Sequence, residues 1–73
     1  MASVELVAPT AGLVVKVNVT EGSTVNQGDT IVTLQSMKME IAVQAEADGK
    51  VTRILVKQGD EVYIGQSVAE IES

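Results

Sequence analysis

The sequence predicts an all-β protein, a flattened β-barrel or sandwich built about a pseudo-twofold axis. Branched aliphatic residues dominate the composition, with 22 Val, Ile and Leu among 73 residues and no Phe or Trp. No stretch keeps apolar residues at helical spacing for three turns, and residues branched at Cβ disfavour helix. The chain also repeats itself, and two short β-units that cannot each bury an apolar face are expected to pack together.

The internal repeat appears when the chain is shifted by 37 residues against itself. The matched segments are residues 8–36 and 45–73, with Ser36 aligned to Ser73 at their ends. All six glycines fall into pairs, namely Gly12 with Gly49, Gly22 with Gly59, and Gly28 with Gly65. Matched glycines indicate that both copies need the same backbone conformations. We therefore expect one domain over residues 1–73, with no room for a second.

Each copy is predicted to contain strands separated by two glycine turns. Gly allows the positive φ angles of tight turns at no steric cost, and Ser and Asp beside it favour turns. In chain order, the predicted elements are a strand over 13–19, turns at 21–23 and 28–29, strands over 30–36 and 39–45, a strand over 50–56, turns at 58–60 and 65–66, and a strand over 67–72. The carboxylates of Asp29, Asp60 and Glu61 are interpreted as turn-forming or solvated groups rather than metal ligands.

The segment 39–45 alternates as a strand with one buried face should. Its apolar face carries Met39, Ile41, Val43 and Ala45. This parity leaves Met39 with two interpretations, a partly buried core residue or an exposed recognition residue. In the strand over 13–19, Val14 and Val17 lie three residues apart, which breaks the alternation. That spacing predicts a bulge or a sharp bend that keeps both side chains inside, and the matched strand of the second copy repeats it.

The composition excludes several classes of function. Without Cys or His there is no zinc finger, thiol nucleophile, redox disulfide or Ser-His relay. A net charge of −5, from ten acids and five bases, argues against nucleic-acid partners, because no basic patch of useful size can form. The first residues show neither a signal peptide nor a membrane span. We therefore expect a cytoplasmic protein without a membrane partner.

The two copies are joined by the segment Gln35-Ser36-Met37-Lys38-Met39-Glu40. It resembles the Met-Lys-Met signature of the biotinyl/lipoyl carrier domain family, whose usual biotinyl form is Glu-Ala-Met-Lys-Met. The flanking pattern agrees from about Val7 to Ile71, at Ala8-Pro9, Gly12, Glu21-Gly22, Val25, Gly28-Asp29, Gly49, Val51, Gly59-Asp60, Val62 and Gly65-Gln66. Because residues 18–22 are short and hold no inserted thumb, the chain looks most like the small stand-alone bacterial biotin/lipoyl attachment proteins of biotin carboxyl carrier type.

The resemblance implies a barrel-sandwich hybrid of two four-stranded antiparallel sheets and a noncatalytic carrier. In the family, the lysine that corresponds to Lys38 is joined covalently to biotin by a biotin protein ligase. Met37 and Met39 match the residues that help the ligase and the carboxylase partners recognise the site. The loaded domain is expected to shuttle carboxyl-biotin between a biotin carboxylase and a carboxyltransferase. The remaining lysines are interpreted as solvated charges: Lys16, Lys50 and Lys57.

Two alternatives to a biotin carrier remain open. Gln35 and Ser36 replace the Glu and Ala that usually precede the motif, and that Glu is associated in the family with the choice of modifying enzyme. Lipoate is therefore an alternative cargo, attached by a lipoyl ligase and used by oxo-acid dehydrogenase complexes. Lipoyl domains carry Asp-Lys-Ala at this turn, whereas this chain has Met37 and Met39 around the lysine. The other alternative is an unmodified β-sandwich that serves as an adaptor.

Overall fold

The structure, a computed structural model, describes residues 3–72, which form eight β-strands. The strands are β1 (Ser3–Val7), β2 (Gly12–Val17), β3 (Thr24–Val25), β4 (Thr30–Ser36), β5 (Met39–Gln44), β6 (Gly49–Ile54), β7 (Glu61–Val62) and β8 (Ser67–Glu72). Val, Ile and Thr supply much of these strands, as expected for residues that fit a pleated surface. Within the described residues, no helix is long and apolar enough to cross a membrane.

The strands form two four-stranded antiparallel sheets, in the orders β1-β8-β6-β3 and β5-β4-β2-β7. Their inner faces share one core of short aliphatic side chains, with no buried polar or charged residue among those described. The core residues are Leu6, Ala8, Val14, Val25, Ile31, Val32, Leu34, Val43, Ala45, Val51, Val56, Val62, Val68, Ala69 and Ile71. The predicted fold class is confirmed.

The repeat in the sequence is a pseudo-twofold repeat in the structure. Strands β1 to β4 correspond to β5 to β8, and each sheet takes two strands from each copy. Hydrogen bonds between strands and loops follow the same symmetry. The amide of Val14 donates to the Asp60 carbonyl at 2.8 Å, and the amide of Val51 donates to the Ser23 carbonyl at 2.8 Å. Because β1 and β5 are also equivalent, the structural repeat begins before residue 8. The partner predicted for Ser36, Ser73, lies outside the described residues.

Both predicted bulges are present. The pairing of β2 with β4 shifts register between Val14 and Lys16, and the pairing of β6 with β8 shifts between Val51 and Arg53. The extra residue turns the strand, so that Val14 stays fully buried and Val17 still packs against the core. A bulge of this kind bends a strand and increases its twist, which lets a short sheet wrap a small core.

The glycines serve two different purposes. Four of them occupy turns with positive φ, between 83° and 98°: Gly22, Gly28, Gly59 and Gly65. The other pair lies where two strands approach closely. A Cβ on Gly12 would be 2.8 Å from the Gln35 carbonyl oxygen, and a Cβ on Gly49 would be 2.6 Å from that of Glu72. The first of these close contacts lies beside the segment that joins the two copies.

Candidate functional site

The joining segment forms a tight β-hairpin between β4 and β5. Ser36 pairs with Met39 across the hairpin, so Met37 and Lys38 alone make the loop. Their φ angles are 49° and 71°, and positive φ at both central residues is the mark of a type I′ turn. Its twist matches that of the two flanking strands, which explains why so short a connection closes the hairpin. Lys38 therefore occupies the tip of the hairpin.

The two loop residues hold an uncommon backbone conformation. Met37 and Lys38 are the residues other than glycine with positive φ in the described part of the chain. Type I′ turns usually contain Asn and Gly, because left-handed φ and ψ values cost other residues roughly 1–2 kcal/mol each. Strained backbone of this kind persists where function requires particular side chains. The hairpin tip is thus a candidate functional site on conformational grounds.

The side chain of Lys38 is exposed, as are both methionines next to it. Met37 is 92% exposed and Met39 is 65% exposed. Met39, the first residue of β5, is therefore exposed and not part of the core, and its role in recognition stays a prediction. The ion pair found within residues 3–72 joins Arg53 Nη1 and Glu70 Oε2 at 3.9 Å, so no described carboxylate holds the Lys38 amine. The structure brings all three predicted site residues together at the tip.

The residues at the base of the hairpin join it to the other strands of its sheet. Gln35 pairs with Glu40 on β5 and with Leu13 on β2, and Leu13 in turn pairs with Glu61 on β7. Paired residues share a face, so a row of two carboxylates, one amide and one leucine crosses the sheet next to Lys38. The other lysines lie elsewhere, on β2, on β6 and in the loop after β6: Lys16, Lys50 and Lys57.

A groove of about 560 Å³ lies beside the hairpin, and the sequence analysis did not predict it. Its walls include Leu13, Ser36, Met37, Glu61 and Tyr63. Tyr63 is the single aromatic residue of the chain. Tyr63 and Ile64 occupy a turn whose equivalent in the first copy holds Asn26 and Gln27. This difference between the two copies was the sequence signal that could have predicted the groove.

The described residues offer no group of three or more Asp or Glu side chains that could hold a metal ion. The functional chemistry of the hairpin end is therefore that of an exposed primary amine. Such an amine, once deprotonated, is a nucleophile that can form an amide with an activated carboxylic acid. A covalently attached prosthetic group requires an amine that is accessible and unpaired, and Lys38 meets both conditions.

Comparison with known proteins identifies the family and agrees with the fold. A family model described as "Biotin-requiring enzyme", the biotin/lipoyl family, matches residues 3–71. The chain belongs to this family. It is 48% identical over 65 residues to the biotin-dependent acyl-coenzyme A carboxylase alpha3 subunit of Mycobacterium leprae, and 47% identical over 55 residues to pyruvate carboxylase of Aspergillus niger. These alignments cover 89% and 75% of this chain.

Solved structures give the same result. The crystal structure of Kluyveromyces lactis urea carboxylase superimposes with a TM-score of 0.93 at 35% sequence identity, covering 99% of this chain and 6% of that one. The chain spans only 11% of the mycobacterial subunit and 5% of the Aspergillus niger enzyme. It corresponds to one small part of these large proteins. The predicted family is confirmed, and with it the prediction of a noncatalytic carrier domain whose cofactor is biotin.

Proposed function

We propose that Lys38 is the residue that carries biotin, and that the chain presents it in turn to the partners of a biotin-dependent carboxylase. One observation carries the assignment: an exposed lysine without an ion pair occupies a two-residue turn whose backbone conformation disfavours it. Among the described lysines, only Lys38 itself has a positive φ angle. The names of the relatives, which are carboxylases of acyl-coenzyme A and pyruvate, support the choice of partners.

Attachment requires little of the chain beyond presentation. The neutral Nζ of Lys38 attacks the acyl carbon of a biotinyl adenylate held by a biotin protein ligase. An amide bond forms, the bond between the acyl carbon and the phosphate oxygen breaks, and AMP leaves with the electron pair of that bond. The nitrogen gives its proton to a base of the ligase or to water. Lysine amines in water are protonated at neutral pH, so the ligase must also remove the first proton.

The sheet keeps the base of the carrier arm in a fixed position. β4 lies between β5 and β2 in its sheet, and Leu34, two residues before Ser36, is fully buried. The base of the hairpin is therefore anchored to the sheet, and the reach of the arm comes from the Lys38 side chain and the group attached to it. When bound, biotin supplies a ureido nitrogen that accepts and releases a carboxyl group. Tethering raises the effective concentration of that nitrogen at the sites of a biotin carboxylase and a carboxyltransferase.

The proposal includes a cytoplasmic location, because the ligation consumes ATP and the chain has no cysteine that would indicate an oxidising compartment. Lipoate is the competing cargo. It would use the same amine and the same turn, so the geometry of the tip fits either cargo and the enzyme that attaches the group decides between them.

Mass spectrometry of the intact protein from its native cell tests the assignment. We expect an increase equal to one biotin less one water, mapped by peptide digestion to Lys38. The Lys38→Arg variant should lose all labelling while its thermal unfolding midpoint stays within about 2 °C of wild type, because the exposed side chain contributes little to stability. Lys16→Arg, on β2, is the matched control and should be labelled as wild type. A lipoyl increment, no increment, or labelling of Lys38→Arg would contradict the proposal.

A further inference from the structure

Exposed apolar side chains surround the hairpin tip. Four of them form what we call the apolar patch: Leu13, Met37, Tyr63 and Ile64. Their exposed fractions are 39%, 92%, 69% and 73%. The first three line the groove beside the hairpin, and Ile64 follows Tyr63 in the chain. Burial of Met37, Tyr63 and Ile64 contributes little to the core, because most of their surface remains in water.

The pseudo-twofold repeat allows the patch to be compared with the equivalent positions at the opposite end of the domain. The positions that correspond to Tyr63, Ile64 and Leu13 hold Asn26, Gln27 and Lys50. These three patch residues are thus replaced by polar or charged residues at the opposite end. The remaining patch residue, Met37, lies in the joining segment and has no counterpart within the described residues.

The two turns compared in this way have the same structure. The amide of Asp29 donates to the Asn26 carbonyl at 3.0 Å, and the amide of Gln66 donates to the Tyr63 carbonyl at 3.0 Å. A side-chain oxygen also accepts from the first amide of each turn, at 2.9 Å in one copy and 3.0 Å in the other. Since Asn and Gln satisfy this turn, its conformation does not require Tyr and Ile. Contact with another molecule is the remaining physical reason for a clustered apolar surface.

We propose, on the basis of the function assigned to Lys38, that the apolar patch is the docking surface for the ligase that modifies it. The unmodified amine extends only four methylene groups from the hairpin. An enzyme that acts on it must therefore bring its own surface against the tip. Once the cofactor is attached, the reactive atom lies much farther out, and later partners need less contact with the chain itself.

Charges around the patch define the chemistry of the partner. Leu13 lies in the row that ends in Glu61 on one side and Glu40 on the other, and the chain carries a net charge of −5. The ligase surface that fits is apolar at its centre and carries Lys or Arg side chains at its rim. Attraction between the two surfaces speeds their encounter and is weakened by salt.

Two other occupants fit the patch less well. A tethered cofactor ring folded into the groove would contact its walls, but Ile64 does not line the groove and would stay exposed. A second copy of the chain would cover Met37 beside the amine and block modification. A ligase surface accounts for all four residues at once.

The test compares initial rates of labelling with a purified biotin protein ligase, biotin and MgATP. The double variant Tyr63→Asn/Ile64→Gln introduces the residues that the same turn accepts in the first copy. We expect the KM of the ligase for this variant to rise about tenfold, because two interface anchors are lost. The kcat should stay unchanged. The opposite-end control, Asn26→Ala/Gln27→Ala, should keep the wild-type KM. Leu13→Lys, which introduces the residue found at position 50, is a second test outside the turn.

Each result has a clear meaning. If wild type is labelled at Lys38 and the two patch variants keep its KM, the docking surface is refuted while the carrier function stands. If wild type is not labelled at all, both proposals fail. Shifts of the NMR amide signals of residues 62–65 upon biotinylation, with KM unchanged in the variants, would assign the groove to the tethered ring instead. A concentration-dependent dimer in wild type, lost in the double variant with KM unchanged, would assign the patch to a second copy.

Discussion

Met37 and Lys38 hold left-handed backbone conformations, with φ angles of 49° and 71°, that glycine or asparagine would adopt at lower cost. The residues at the tip are therefore of types that the turn conformation disfavours. Among the described residues, Met37 is also the most exposed large apolar side chain at 92%, so neither backbone nor burial favours it. The proposed contact with partners would account for it, because a flexible and polarizable thioether suits such contact.

Substitutions of Met37 separate the side chain from the backbone. Met37→Asn removes the thioether and relieves the strain, so the free energy of unfolding should rise by about 0.5–1 kcal/mol. Met37→Ala removes the thioether but keeps the strain, and its stability should match wild type. Both variants should be labelled several-fold more slowly by the ligase. Chemical denaturation and labelling kinetics measure the two effects separately.

The outcome for Met37→Ala is the more informative of the two. A large loss of stability would show that the thioether packs against the domain. Labelling at the wild-type rate in both variants would remove Met37 from the recognition surface.

Close approach between neighbouring strands fixes the position of individual strands, as Gly12 and Gly49, the two glycines outside the turns, show. Gly12 begins β2 and lies against the Gln35 carbonyl of β4, three residues before Lys38. Gly49 begins β6 and lies against the Glu72 carbonyl of β8 at the corresponding place in the other sheet. The same packing thus occurs once near the hairpin and once far from it.

This pair allows a matched comparison. Gly12→Ala and Gly49→Ala should each lower the free energy of unfolding by about 1–3 kcal/mol, because the added methyl group meets backbone atoms at 2.8 Å and 2.6 Å. Only Gly12→Ala should slow labelling of the folded protein, since it displaces the strand that ends at the hairpin. Equal loss of labelling in both variants would show that the effect is one of stability alone.

Sequence patterns predicted the longer strands well. The predicted ranges 30–36 and 67–72 coincide with β4 and β8, and the strand predicted over 39–45 ends one residue later than β5. The short strands β3 and β7 were missed, because two residues are too few to show any alternation. The strand β1 was also missed, although residues 3–6 alternate polar and apolar and offered a signal; its pairing with β8, at the other end of the chain, is visible only in the structure.

The whole molecule is held together by the exchange of strands between the two copies. Each sheet contains two strands from each copy, and nearly all of the pairing joins residues that are distant in the chain, apart from the β4–β5 hairpin. Neither copy has a complete sheet of its own. The domain should therefore unfold in one cooperative step, as small single-core domains usually do.

Conservative core substitutions test this cooperativity. Ile31→Val in the first copy and Ile71→Val in the second remove one buried methylene each, and each should cost about 0.5–1.5 kcal/mol. In both variants, hydrogen exchange should speed up in the strands of both copies together, and denaturation followed by circular dichroism should stay a single transition. Faster exchange confined to the mutated copy would show that the copies unfold independently.

The sequence by itself was enough to indicate the repeat, the glycine turns, the bulges and the lysine at the hairpin, because each is visible in residue types and their spacing along the chain. Three features depended on the tertiary structure: the exchange of strands between copies, the need for Gly12 and Gly49, and the apolar patch. Each depends on which distant residues meet. Tyr63 lies 25 residues beyond Lys38 in the chain, and only the pairing of β2 with β4 and β7 brings it beside the hairpin.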